Sequence, residues 1–142
     1  MTSRSNTSAL IIWKTAGFWL ALALAVSQLV NAWRVILDAE SYAIYMGLPL
    51  RTETDMAWVY VYALRALFLG CFAGYLLLSA QYRVLSQMAL IAVLMPVGDF
   101  YLVWQDGAAG TTMARHAIIA LALLAAWYQL RNLATRIAVS NQ

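Results

Sequence analysis

Four long apolar runs alternate with short polar breaks along the chain: residues 15–37, 56–80, 85–104 and 113–130. Each is close to the ~20 residues that a helix needs to cross a bilayer. The breaks at Gln81-Tyr82-Arg83-Val84 and at residues 105–112, which contain Gly107 and Gly110, are short. Short connections make consecutive helices antiparallel neighbours. The longer connection, residues 38–55, holds a half-apolar stretch, Tyr42-Ala43-Ile44-Tyr45-Met46, closed by Gly47-Leu48-Pro49. That pattern predicts a short interfacial helix ended by a turn. The expected fold is therefore all-α: one domain over residues 1–142, an integral membrane four-helix bundle with an interfacial segment between its first two spans. A signal-peptide reading of the first run, with cleavage near Ala23-Leu24-Ala25, competes with this. The run continues to Trp33, too long for a signal core, and predicts a retained membrane helix.

Composition agrees. Of 142 residues, 64% are hydrophobic and 11% charged, where a soluble domain carries about 25% charged residues. The single Cys71 cannot form a disulfide within the chain. With four spans, the N-terminus, the second connection and the C-terminus share a side, carrying Arg4, Lys14, Arg83, Arg131 and Arg136 and no acid. The other side carries Asp38, Glu40, Glu53, Asp55 and Asp106, with Arg34, Arg51 and, near its edge, Arg115. The positive-inside rule then places both termini in the cytoplasm, with a bacterial inner membrane as the expected location. Trp13, Phe18, Trp19, Trp58, Tyr60, Trp104, Trp127 and Tyr128 fall near span ends, as aromatic anchors do. Nucleic-acid binding, which needs a clustered basic face, is excluded.

Three ionisable residues lie inside the spans: Arg65, Asp99 and His116. At 1.5 Å per residue, Arg65 and Asp99 fall about 10 Å, and His116 about 5–6 Å, below the acidic side. Gln28 and Asn31 of the first span reach the same layer, and Tyr62 and Tyr101 stand near Arg65 and Asp99. A charge in a span is costly and normally needs a partner or a wet cavity. Two readings follow. In one, an Arg65–Asp99 ion pair holds two helices together. In the other, Asp99, His116 and Arg65 form a catalytic or binding group, with Gln28, Asn31, Tyr62 and Tyr101 as ligand-binding residues. Pro96 and Gly98 beside Asp99 predict a kinked or loosened helix from Met95 to Asp99, which favours a cavity.

Other chemistries are poorly supported. Ser27, His116 and Asp99 have no surrounding nucleophile motif, one histidine cannot give a haem two imidazoles, and the ligands for a metal site are too few. No metal or cofactor is expected. Gly70 and Gly74 form a GxxxG pattern, which serves either packing within the bundle or a homodimer contact.

The run Tyr62-Ala63-Leu64-Arg65-Ala66-Leu67-Phe68-Leu69-Gly70 resembles the arginine-to-glycine signature of small four-helix DoxX-like membrane proteins and of a related group of bacterial and fungal proteins. Gly47-Leu48, Arg65, Gly70, Asp99 and His116 stand at the matching positions. The resemblance covers residues 45–130 and implies a four-helix bundle and a membrane location, without an established reaction. The functional expectation is a pocket for a lipophilic ligand (isoprenoid, sterol-like or quinone-like), with proton-transfer chemistry such as isomerisation or cyclisation. Asp99 would be acid or base, His116 its partner, and Arg65 an anion stabiliser. The alternative is a non-catalytic subunit or scaffold of a larger membrane complex with a structural Arg65–Asp99 pair.

Overall fold

The computed structural model describes residues 15–52 and 55–140. Arg4, Trp13, Lys14 and Glu53 lie outside the described residues. The chain is helical, in the order α1 (Ala16–Leu37), α2 (Ala39–Met46), α3 (Asp55–Leu78), α4 (Tyr82–Ala92), α5 (Leu94–Gln105) and α6 (Gly110–Ser140). Four helical stretches are long and apolar enough to cross a membrane: α1, α3, α4 with α5 as one stretch, and α6. Their outward surface carries large apolar side chains such as Trp33, Phe68, Leu78 and Leu94. Such a surface suits lipid, and the chain is an integral membrane protein.

Local sequence sets the helix ends. Thr15 caps α1 through its hydroxyl, which accepts from the Phe18 N–H at 3.4 Å. Asp38 is extended (φ −159°), ends α1 and caps α2 by accepting from the Ser41 N–H at 2.9 Å. The hydrogen bonds from Ser41 hold its carboxyl below the usual range. A lowered carboxyl stabilises the fold above its unfolded value, and that contribution is lost as pH falls through the folded one. At the far end of α2, Gly47 (φ +87°) lets the Leu48 N–H reach the Ala43 carbonyl and its own N–H reach Ile44, a Schellman closure. Gly107 (φ +75°) repeats this after α5, whereas α3 ends the same way on Ala80, a non-glycine at φ 56°.

The spans are arranged in a ring. α1 packs along α3 and against α6, α6 packs against α4 and α5, and α4 meets α3. One buried cluster, around Phe18, Leu77, Leu85 and Leu130, fills the end of the bundle where α1 begins. A smaller one, Val35, Ala39, Tyr42 and Ala63, seats α2 at the opposite end. The expected interfacial helix is thus partly sunk into the bundle. Gly70 is the tight point between α1 and α3. A Cβ there would stand 2.6 Å from Leu29 Cδ2 and 3.0 Å from the Ala25 carbonyl, while one on Gly74 would meet nothing within 4 Å.

The third span breaks one turn earlier than the sequence suggested. The regular hydrogen bonding is disturbed at Val93, between α4 and α5, where the backbone stays right-handed helical (φ −57°, ψ −29°), and Met95 to Asp99 is helical. Pro96 has no N–H to bond the carbonyl four residues back, and its ring crowds that carbonyl. The disturbance therefore falls upstream of the proline.

Two stability outcomes follow, both readable by thermal unfolding in detergent. Gly70→Ala should cost about 1–3 kcal/mol by overpacking, and Gly74→Ala should change stability by less than about 0.5 kcal/mol. Ala80→Gly should stabilise by about 1 kcal/mol, because a left-handed residue with a Cβ is strained.

Candidate functional site

α4 stays against α3, but α5, beyond the break at Val93, follows α6 and scarcely touches α3. A cleft therefore opens between α3 and α5 at the α2 end of the bundle. It is a cavity of about 400 Å³, walled by Trp58, Val59 and Tyr62 of α3, by Asp99 and Val103 of α5, and by Asp106 just beyond α5. The segment Leu48-Pro49-Leu50-Arg51 lines it as well. That strap is fixed at two places: the Arg51 guanidinium pairs with Asp106, and the Asp55 carboxylate accepts the Arg51 and Thr52 N–H groups at 2.9 Å each.

A second cavity, of about 140 Å³, runs within the bundle between α1, α3, α4 and α6. Its walls include alanines such as Ala21, Ala25, Ala73, Ala89, Ala92 and Ala126. The two cavities share Met46, Tyr62, Asp99 and His116. Three polar side chains and one backbone turn thus form the junction between a wide cleft and a narrow interior.

His116 is the anchor of that junction. It is 1% exposed, with Nε2 3.4 Å from the Met46 carbonyl and Nδ1 3.9 Å from Asp99 Oδ2. Met46 ends α2, so its carbonyl lacks a partner within its own helix and is free to accept the imidazole N–H. That bond puts the ring proton of a neutral His116 on Nε2 and leaves the Nδ1 lone pair towards Asp99. The two side chains face one another across 3.9 Å, beyond direct hydrogen-bond distance.

Phenols extend the polar group. The Tyr42 and Tyr62 hydroxyls are 3.0 Å apart, with rings 5.6 Å apart. Burial, together with the neighbouring Tyr62, pushes the Tyr42 phenol well above its ordinary value, so it remains a neutral hydroxyl. Tyr62 lies within electrostatic reach of Asp99 and Asn31. Next to this group, Tyr45 carries two guanidiniums, with Arg34 at 4.1 Å and Arg115 at 3.8 Å from its ring centroid. Arg115 also donates to the Tyr45 carbonyl. Both cations stand by the C-terminal end of α2, where positive charge is favoured.

The structure brings together Asp99, His116 and Tyr62, with Gln28 and Asn31 on the wall of the inner cavity. It does not bring in Arg65 or Tyr101. Arg65 is exposed beside Leu64 and Phe68, lines neither cavity, and among the described residues forms no ion pair with Asp99. The inward face of α3 centres on Ala66, and one residue back turns a side chain about 100° away. Tyr101 is 52% exposed, and its hydroxyl accepts from Gln105 Nε2 at 2.7 Å. Sequence reasoning did not assign Tyr42, Tyr45, Met46, Arg34, Arg51, Asp106 or Arg115 to the site. The spacing of Ala39, Tyr42 and Ala43 on one face of α2 was the available signal that this segment turns inward.

The chain belongs to the family described as a domain of unknown function (DUF4267), whose model matches residues 25–131. The matched stretch contains the whole junction and both arginines on Tyr45. Comparison with curated proteins and with solved structures gives no match.

The placement of Arg65 makes a clear test. In a double-mutant cycle of Arg65→Ala and Asp99→Ala, measured by thermal unfolding, the two effects should add within about 0.5 kcal/mol. His116→Ala should cost about 2 kcal/mol or more, since it empties a buried site and strips the Met46 carbonyl of its donor.

Proposed function

For a chain of this family, we propose a small membrane protein that takes a lipophilic ligand from the bilayer and presents its polar group to Asp99 and His116. The observation that carries the reading is the position of Asp99 and His116, 3.9 Å apart, at the floor of a cleft between α3 and α5. That cleft leads on into an apolar interior cavity. Isoprenoid, sterol-like and quinone-like compounds are the ligand types that suit such a site. Trp58, 72% exposed beside the opening, offers an aromatic edge to a ligand arriving from the lipid.

The chemistry best matched to the site is proton transfer, as in an isomerisation or cyclisation. One proton leaves the ligand to the Asp99–His116 pair, another returns to a different atom, and the pair ends as it began. Asp99 is acid or base, and His116 is its partner, with Nε2 held by Met46. Tyr62 supplies a hydroxyl that donates to a developing oxyanion or receives a ligand hydroxyl. Surrounding helices exclude water and so strengthen each of these interactions. Arg65 has no part in this scheme.

We further place both termini on the cytoplasmic side of a bacterial inner membrane, with α2 and the cleft in the opposite half. The support is the distribution of Lys and Arg along the sequence. A kinship with DoxX-like bundles, on the run from Tyr62 to Gly70, agrees with a four-helix architecture and supplies no reaction.

The test is mass spectrometry of small molecules that copurify with the wild type and with Asp99→Asn. A specific lipophilic compound on the wild type, depleted in the variant while its melting temperature is retained, is the expected result. Identical lipid profiles in the two proteins would contradict the reading.

A further inference from the structure

Resting on the site just proposed, we infer the class of its ligand: a neutral, hydrogen-bonding headgroup on a single hydrocarbon chain, with phosphate- and carboxylate-headed lipids excluded. The charge around the cleft carries the first half. Three carboxylates line it, Asp55, Asp99 and Asp106, against Arg51 and the His116 imidazole. Arg51 is already engaged by Asp106, and the Asp55 carboxylate remains anionic as an acceptor of two backbone N–H groups. An arriving anion therefore finds Arg51 already paired and faces the carboxylates of Asp55 and Asp99. Arg115, on the wall of the inner cavity, is committed to the Tyr45 carbonyl and ring. A hydroxyl or carbonyl headgroup, by contrast, finds both donors and acceptors in Tyr62, Asp99 and His116.

The shape of the inner cavity carries the second half. Its wall on α6 extends from His116 to Leu130, a rise of about 20 Å. A volume of about 140 Å³ lined over that length leaves no room for two chains side by side. Its wall is apolar, with alanines such as Ala73, Ala89 and Ala92 beside larger side chains such as Leu69, Met88 and Leu123. The headgroup sits in the wide cleft, passes its polar atom to the junction, and sends its chain into this apolar interior.

The experiment uses the full chain in nanodiscs with three radiolabelled probes: farnesol, farnesyl phosphate and dioleoylglycerol. Farnesol should bind saturably, farnesyl phosphate roughly tenfold or more weakly, and dioleoylglycerol without saturation. Ala92→Leu, which fills the bore away from the polar junction, should weaken farnesol binding by roughly tenfold. If that variant melts early, Ala73→Leu on the α3 wall makes the same test. Phosphate or two-chain binding as tight as that of farnesol would overturn the inference, and so would farnesol binding indifferent to both bore variants. In those cases the site itself stands provided that Asp99→Ala abolishes binding. No saturable binding of any probe would overturn the site together with the inference.

Discussion

Pro96 has no N–H to offer the Ala92 carbonyl, and in a membrane a freed carbonyl cannot turn to bulk water. Helices in lipid tolerate such a break only where protein or a cavity takes up the freed group. Here the disturbed turn at Val93 lies between α4, which meets α3 and α6, and α5, which packs on α6. The seam between the second and third spans therefore closes at one end of the bundle and opens at the other. The opening places Asp99 on a cavity wall, at a depth where lipid contact would be costly.

Polar groups in the opening are satisfied by one another and by the exposed end of α2. The last carbonyls of that short helix would be orphans in a low-dielectric setting. His116 reaches the one at Met46, Arg115 the one at Tyr45, and the Gly47 turn closes those at Ala43 and Ile44. A structural need thus fixes the imidazole by one nitrogen and leaves the other for Asp99. In the proposed function, stability and chemistry meet on the same ring. Removing His116 disturbs both, while changing Asp99, which is partly exposed and has no close hydrogen bond, bears mainly on the site.

Much of the architecture was legible in the sequence, because apolar run length and short polar breaks are direct consequences of bilayer thickness. Spans, the single interfacial helix and its Gly47 turn follow from that pattern. Depth was legible too: Asp99 and His116 were assigned neighbouring levels by rise per residue, and they face one another in the structure. Direction around the helix axis was not. Arg65 shares the level of Asp99 but points outward, since the buried positions Ala63, Ala66 and Gly70 set the face of α3 that meets α1. The kink residue was also visible, whereas the turn that it displaces lies upstream of it. Tertiary partners from α2 are signalled only weakly, by the spacing of Ala39, Tyr42 and Ala43, because an eight-residue helix spans little more than two turns.

The central claim is a cleft between α3 and α5 whose floor is the Asp99–His116 pair and whose continuation is a bore for one chain. A crystal structure grown from a lipidic mesophase, without detergent exchange of bound lipid, tests it most directly. The account predicts elongated density entering between Trp58 and Val103, passing within hydrogen-bond distance of Asp99 or His116, and ending among the alanines of α1, α4 and α6. A seam closed by direct packing of α3 on α5, with Asp99 turned to Arg65, would contradict it.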